Sequence, residues 1–211
     1  MGKNLIQQKR GKGSPRYRAP SFRYEGQATF IKTKQGEVTN AEVSDIIHCS
    51  GHSAPLMELK YNDGQTGLLQ APEGIKVGDK IELGNDVELK AGNILPLKSI
   101  PDGASIYNIE SSPGDGGKFV RSSGAFAKII TKMEQGVVVE LPSSKRKTFS
   151  PECRAIIGIV AGAGRTEKPF LKAGARMYKM KARNKFWPQV SGTSMNSLSH
   201  PFGGSSSHAK G

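Results

Sequence analysis

Apolar positions in this chain fall in short clusters punctuated by Gly, Pro, Asn and Asp, rather than at the spacing of a long amphipathic helix. In the first part the clusters predict strands over 27–31, 41–48, 56–61, 67–71 and 80–83. Turn signals separate them at 34–36, Ser50-Gly51, Asn62-Asp63-Gly64 and Glu73-Gly74. Asn-Asp-Gly between two strand runs is a hairpin signal, and five short strands suit a small OB-type barrel. A second series follows at 87–89, 94–97, 105–110, 125–131, 136–141, 147–149 and 155–161. Its spacing of roughly 8–15 residues, again broken by Gly and Pro, predicts a second small barrel or sandwich. The fold class is therefore mainly β.

The run 155–161, closed by Gly162 and Gly164, reads as a buried strand, and after it the pattern changes. Lys172, Arg176, Lys179 and Arg183 follow at spacings that place four cations on one face of a short helix. Leu171, Ala175, Tyr178 and Ala182 form a parallel row, expected to rest that helix on the body. Beyond it, 186–204 is rich in Gly, Ser, Asn and Pro, with Trp187, Met195, His200 and Phe202 among them. Such a segment cannot build a core and is expected to fold only against something large. At the other end, 1–23 reads as an extended arm, because Gly11, Gly13, Pro15 and Pro20 interrupt helix. Tyr17 and Phe22 lie there among Arg16, Arg18 and Arg23, where rings can stack on bases while cations hold phosphates.

Charge sharpens this picture. The net charge is +13 over 211 residues, so a polyanion is the expected partner. Residues 1–23 carry 7 cations and no acid, 24–142 carry 11 cations and 16 acids, and 143–211 carry 13 cations and 2 acids. A slightly acidic body with basic ends is a nucleic-acid-binding layout. No apolar run of about 18 residues suggests a membrane span, and no apolar segment follows the first cations as a secretory signal would require. A soluble protein of a reduced intracellular compartment is expected. A bridge between the two cysteines, Cys49 and Cys153, stays open.

Several enzyme-like motifs fail on inspection. The stretch 113–119, PGDGGKF, lacks the P-loop's first Gly, because Ser112 stands there, and its Ser or Thr, because Phe119 follows Lys118. A Gly-rich hairpin close to RNA, with Lys118 and Arg121 on phosphates, accounts for it better. Gly162-Ala163-Gly164 lacks the third glycine of a dinucleotide fingerprint, since position 167 is Glu167. His48, Cys49 and His52 could be thought a zinc site, but no paired CxxC accompanies them and a plain turn is expected. His200 has no sequence-evident partner for general-base work, so contact with a base is the expected role.

The stretch WPQVSGTSMNSLSHPFGG (187–204) resembles the Trp-Pro…Gly…Met-Asn…His-Pro…Gly-Gly signature of the universal large-subunit ribosomal protein two family, archaeal and eukaryotic type. Six more stretches match in order: 53–56, 71–79, 91–103, 113–124, 153–165 and 168–174. The resemblance implies an OB-fold-like barrel followed by an SH3-like barrel. The implied division is a basic extension (1–24), the OB-fold-like domain (25–84), the SH3-like barrel (85–165) and a basic C-terminal extension with a short helix (166–211). It implies a structural constituent of the large subunit, not an enzyme, supporting subunit association and the architecture of the peptidyl-transferase region. The implied partners are large-subunit rRNA, other ribosomal proteins and the small subunit, with no membrane. The location is the cytoplasmic ribosome. No metal or cofactor is expected, Mg2+ entering only through bound rRNA. The RNA-binding set is Arg10, Lys12, Arg16, Arg18, Lys118, Arg121, Arg154, Lys172, Arg176, Lys179, Lys181, Arg183, Lys185, Trp187, Asn196 and His200. Where the family has Arg, Val, Ala and Pro, this chain has Ser191, Thr193, Ser194 and Ser197, which removes one phosphate contact and relaxes one rigid position. Ser199 replaces an acid and Ser205 the third glycine, and the family carries a further basic tail beyond Gly211. The alternative reading is an extra-ribosomal OB-type single-stranded nucleic-acid-binding protein, against which the first barrel is acidic and poor in aromatics. A hydrolase built on His200 would lack a nucleophile motif such as GxSxG.

Overall fold

The computed structural model describes residues 5–32 and 38–204. The expected turn at 34–36 and Ser205 lie outside them. Contacts divide the chain into a body, Tyr24–Lys168, and a second unit drawn from Met1–Arg23 together with Pro169–Gly211.

The body holds ten strands: β1 (Thr39–Ile47), β2 (Leu56–Tyr61), β3 (Thr66–Gln70), β4 (Lys80–Leu83), β5 (Ile94–Pro96), β6 (Ser105–Tyr107), β7 (Ala127–Met133), β8 (Gly136–Glu140), β9 (Arg146–Phe149) and β10 (Arg154–Ile157). They form one mixed sheet in the order β3-β2-β1-β4-β5-β10-β6-β7-β8-β9. Neighbours pair antiparallel except β4 and β5, which meet in parallel at Leu83 and Ile94. The mainly β expectation, an OB-like half followed by an SH3-like half, agrees with this architecture. β1 shows why short alternating runs become strands here: Ala41 and Val43 point inward while Glu42 and Ser44 face water.

The two halves have separate cores but share a wall. Leu59, Leu69, Ile81, Ile94 and Ile156 belong to the first core, and Leu95, Ile106, Ile129, Val139 and Ala155 to the second. Successive residues of β5 and β10 therefore point into opposite cores, as the two-residue period of a strand requires. Burial on both faces explains why these strands read as continuous apolar runs. Tyr107 reaches across the halves, its hydroxyl donating to Gln70 O at 3.0 Å.

A buried ion pair fastens this wall. Glu110 is fully buried and accepts from Arg154 Nη2 at 2.7 Å, Arg154 Nε at 3.1 Å, the Arg154 amide at 2.9 Å and the Gly116 amide at 3.2 Å. Arg154 Nη1 donates to Ile31 O at 3.0 Å, and its guanidinium carbon lies 5.2 Å from the Phe30 ring centroid. One side chain thus joins β10, the segment after β6 and the chain leading into β1.

Four elements differ from expectation. Residues 27–31 contribute only an isolated bridge, Ala28 to Leu68, and 87–89 form loop. The run 155–161 divides because Gly158 takes φ +117°, ending β10, after which Val160 bridges to Pro72 in the first half. The N-terminal arm is not wholly extended: Ile6–Gly11 is a helix (α1), whose start is held by the Leu5 amide donating to Gln8 Oε1 at 3.2 Å. Gln, Lys and Arg are good helix formers, and the glycines act only after them.

Replacing Glu110 with Gln leaves Arg154 charged in a site where its side chain is 15% exposed. Breaking a buried pair in this way is expected to cost about 3–5 kcal/mol. Urea unfolding followed by circular dichroism measures it, and an unchanged midpoint would contradict the assigned role.

Candidate nucleic-acid interface

The second unit is electrostatically unlike the body. Residues 1–23 and 169–211 together carry 14 Lys plus Arg and no carboxylate side chain, whereas 24–168 carry 17 against 18 acids. With no acidic side chain there, the unit is held by other means. Helix α2 (Ala173–Ala182) ends in a Schellman-type cap: Asn184 sits at φ +52°, its amide donating to Lys181 O at 3.0 Å, and Lys185 N donates to Met180 O at 2.8 Å. The Asn184 side chain then donates to Pro15 O at 2.6 Å and Arg18 O at 2.8 Å. One residue in the left-handed region, which Asn tolerates better than most, ends the helix and holds the N-terminal arm.

Rings supply the rest. The Arg10 guanidinium carbon lies 5.2 Å from the Phe186 centroid, Arg176 lies 6.0 Å from Trp187, and Lys179 Nζ lies 5.0 Å from Phe170. Cations over aromatic faces attract through the ring quadrupole. Lys172 and Arg183 of the predicted stripe are the residues capping the two ends of α2. The parallel row does not seat the helix: Leu171 is 93% and Tyr178 67% exposed, and no residue of α2 is buried. Lys179, Met180, Arg183 and Asn184 are the half-covered side instead.

Of the expected RNA contacts, Arg10, Lys12, Arg16, Arg18, Lys172, Arg176, Lys181, Lys185 and Asn196 are exposed, while Lys179, Arg183, Trp187 and His200 are half-buried. The loop carrying His200 closes on itself through Ser199 N and His200 N donating to Asn196 O, and Gly203 N to His200 O. Gly192 is required there, since a Cβ would overlap the His200 ring. His200 Nδ1 accepts from the Phe202 amide at 3.1 Å. In the neutral ring the proton is therefore on Nε2, which is left as a donor. That suits a contact to a base or phosphate, whereas a general base needs a free acceptor nitrogen.

The three expected contacts in the body behave differently from one another. Lys118 is exposed and pairs with Asp115 at 3.1 Å. Arg121 turns inward, donating to Ala28 O at 2.6 Å and Gly117 O at 3.3 Å, and burial lowers its pKa. Arg154 is tied to Glu110. Both arginines shape the Gly-rich hairpin that presents Lys118. Gly117 must be glycine, because φ is +88° and a Cβ would meet Asn108 Oδ1 at 2.5 Å.

Cys49 and Cys153 are free thiols in separate clusters. Cys49 Sγ lies 3.2 Å from His52 Nδ1 across the expected turn. Among the described residues no three His, Cys, Asp or Glu gather as a metal site would need, and no helix is long and apolar enough to cross a membrane. Asn184 was the residue missed by sequence reasoning. Asn directly after a helical stretch is a readable C-terminal signal, but its grip on a segment far away in sequence is not.

Asp115 gives the hairpin a pH dependence. Burial opposes its ionisation, but Lys118 and the amides of Ser112, Gly117 and Ser111 outweigh that and hold its carboxyl below the ordinary 3.8. The unfolded chain therefore takes up the proton first as pH falls. The stabilisation is present above the unfolded value and lost as pH falls through the folded one. Asp115→Asn should be less stable than the parent at neutral pH, with the difference shrinking as pH falls below the ordinary carboxylate value in unfolding curves. A difference constant across that range would contradict this.

Comparison with known proteins bears on this geometry. Residues 90–211 match the family model described as Ribosomal Proteins L2, C-terminal domain. Over 204 residues, 97% of the chain, it is 49% identical to the large ribosomal subunit protein uL2 of Archaeoglobus fulgidus, covering 86% of that protein. The proteins of the same name from Haloarcula marismortui and Natronomonas pharaonis are 48% and 47% identical over the same length, with 85% and 84% covered.

Proposed function

The chain belongs to the large ribosomal subunit protein uL2 family, and on that premise we propose that it grips large-subunit rRNA mainly through the unit built from its two ends. It is a structural constituent of the large ribosomal subunit in the cytoplasmic ribosome, and its role is structural rather than enzymatic. Its partners are rRNA and other ribosomal proteins. The observation that carries the reading is the unit with 14 cations and no carboxylate side chain. Such a unit repels itself in isolation and attracts a polyanion.

In this reading the division 1–24, 25–84, 85–165 and 166–211 is a division of labour. Arg10, Lys12, Arg16, Arg18, Lys172, Arg176, Lys179, Lys181, Arg183 and Lys185 hold phosphates. Trp187, Asn196 and His200 meet bases or sugars, and Lys118 adds a contact from the body. Arg121 and Arg154 act indirectly, by fixing the hairpin. The near-neutral barrels fill space between rRNA elements, support association with the small subunit, and steady the surroundings of the peptidyl-transferase region.

Salt titration of binding to a large-subunit rRNA transcript tests this. Neutralising about six phosphates gives a slope of log affinity against log salt of about −4 to −5. Deleting 1–23 or 168–211 should flatten it. A truncated chain that binds as tightly, with the same slope, would contradict the proposal.

A further inference from the structure

Within the second unit, a recess of about 580 Å³ lies between the N-terminal arm and the end of α2, a size that suits a small organic ligand. Both extensions build it: Arg18, Pro20, Phe22 and Arg23 on one side, Lys181 and Asn184 on the other. Among the described residues no carboxylate lines it. Phe22 is 83% exposed on a 3-10 turn, Ser21–Arg23, fixed by the Arg23 amide donating to Pro20 O at 3.0 Å. The Arg23 guanidinium carbon lies 5.2 Å from the Phe22 centroid, so one ring face meets a cation and the other is open. Tyr17, the other ring that the sequence places among arginines, is half-buried and lines a different hollow with Phe186.

We propose that this recess takes one unstacked nucleotide of large-subunit rRNA, its base on the open face of Phe22 and its phosphate between Arg18 and Lys181. The inference rests on the rRNA reading above and adds a site to it. An apolar peptide would leave three cations desolvated, and a basic one would be repelled. A nucleotide alone offers a flat ring and an anion at the spacing of one residue. The site exists only because Asn184 holds Pro15 and Arg18 against the helix end, so Asn184 is its positioning residue.

The test uses the full chain and an Archaeoglobus fulgidus large-subunit rRNA transcript. Phe22→Leu keeps an apolar side chain but removes the stacking face. It should weaken binding about 5- to 150-fold at fixed salt, with an unchanged salt slope. Phe22→Trp should bind like the parent. Asn184→Gly, which keeps the left-handed backbone, should lose affinity in the same direction. Chemical probing should show one unpaired nucleotide protected by the parent and exposed with Phe22→Leu. If the parent binds and Phe22→Leu matches it in affinity and protections, this inference is overturned and the rRNA reading stands. If the parent does not bind the transcript, both fall.

Discussion

Glu110 is buried from solvent, and an ionised carboxylate there is tolerable only because Arg154 and two amides surround it. Much of the body hangs on that demand. Arg154 must turn inward from β10, which fixes the strand shared by both cores. Its Nη1 captures Ile31 O, and its flat face covers Phe30. The Gly116 amide, donating to the same carboxylate oxygen as the guanidinium, sets the Gly-rich hairpin. The two halves are thereby joined through polar contacts as well as through β5 and β10.

The alternating strands were legible because one face is wet and the other dry, as in β1. β4 agrees with its expected bounds, since Lys80 and Glu82 alternate with Ile81 and Leu83. Where legibility failed, a non-local effect decided. Residues 27–31 look like a strand but are held by Arg154 and Arg121 rather than by ladder pairing. The apolar run after Cys153 looks like one strand but serves both halves in turn. Arg154 and Lys172 look alike in sequence. Only the position of Glu110, 44 residues away in the chain, shows that the former is committed inside the body.

The second unit follows from the opposite constraint. Without acidic side chains it has no side-chain ion pairs to draw on, so helix caps, an asparagine amide and aromatic faces do the holding. These are weak, short-ranged contacts, and they leave most of the described cations of the unit exposed. That is a useful state for a surface that must meet phosphates, and it would be a liability for anything else. Under the proposed rRNA reading the charge arrangement is a division: Arg121 and Arg154 build structure inside the body, and cations of the two ends are offered to phosphates.

That division can be measured at its least obvious point, Arg154. Replacing the pair together, Glu110→Leu with Arg154→Met, removes the buried charge and its partner at once, an exchange that often preserves folding. The salt dependence of binding to large-subunit rRNA should then keep the slope of the parent chain. A slope shallower by about 0.7–0.9, the contribution of one neutralised phosphate, would show Arg154 on the RNA and contradict the account.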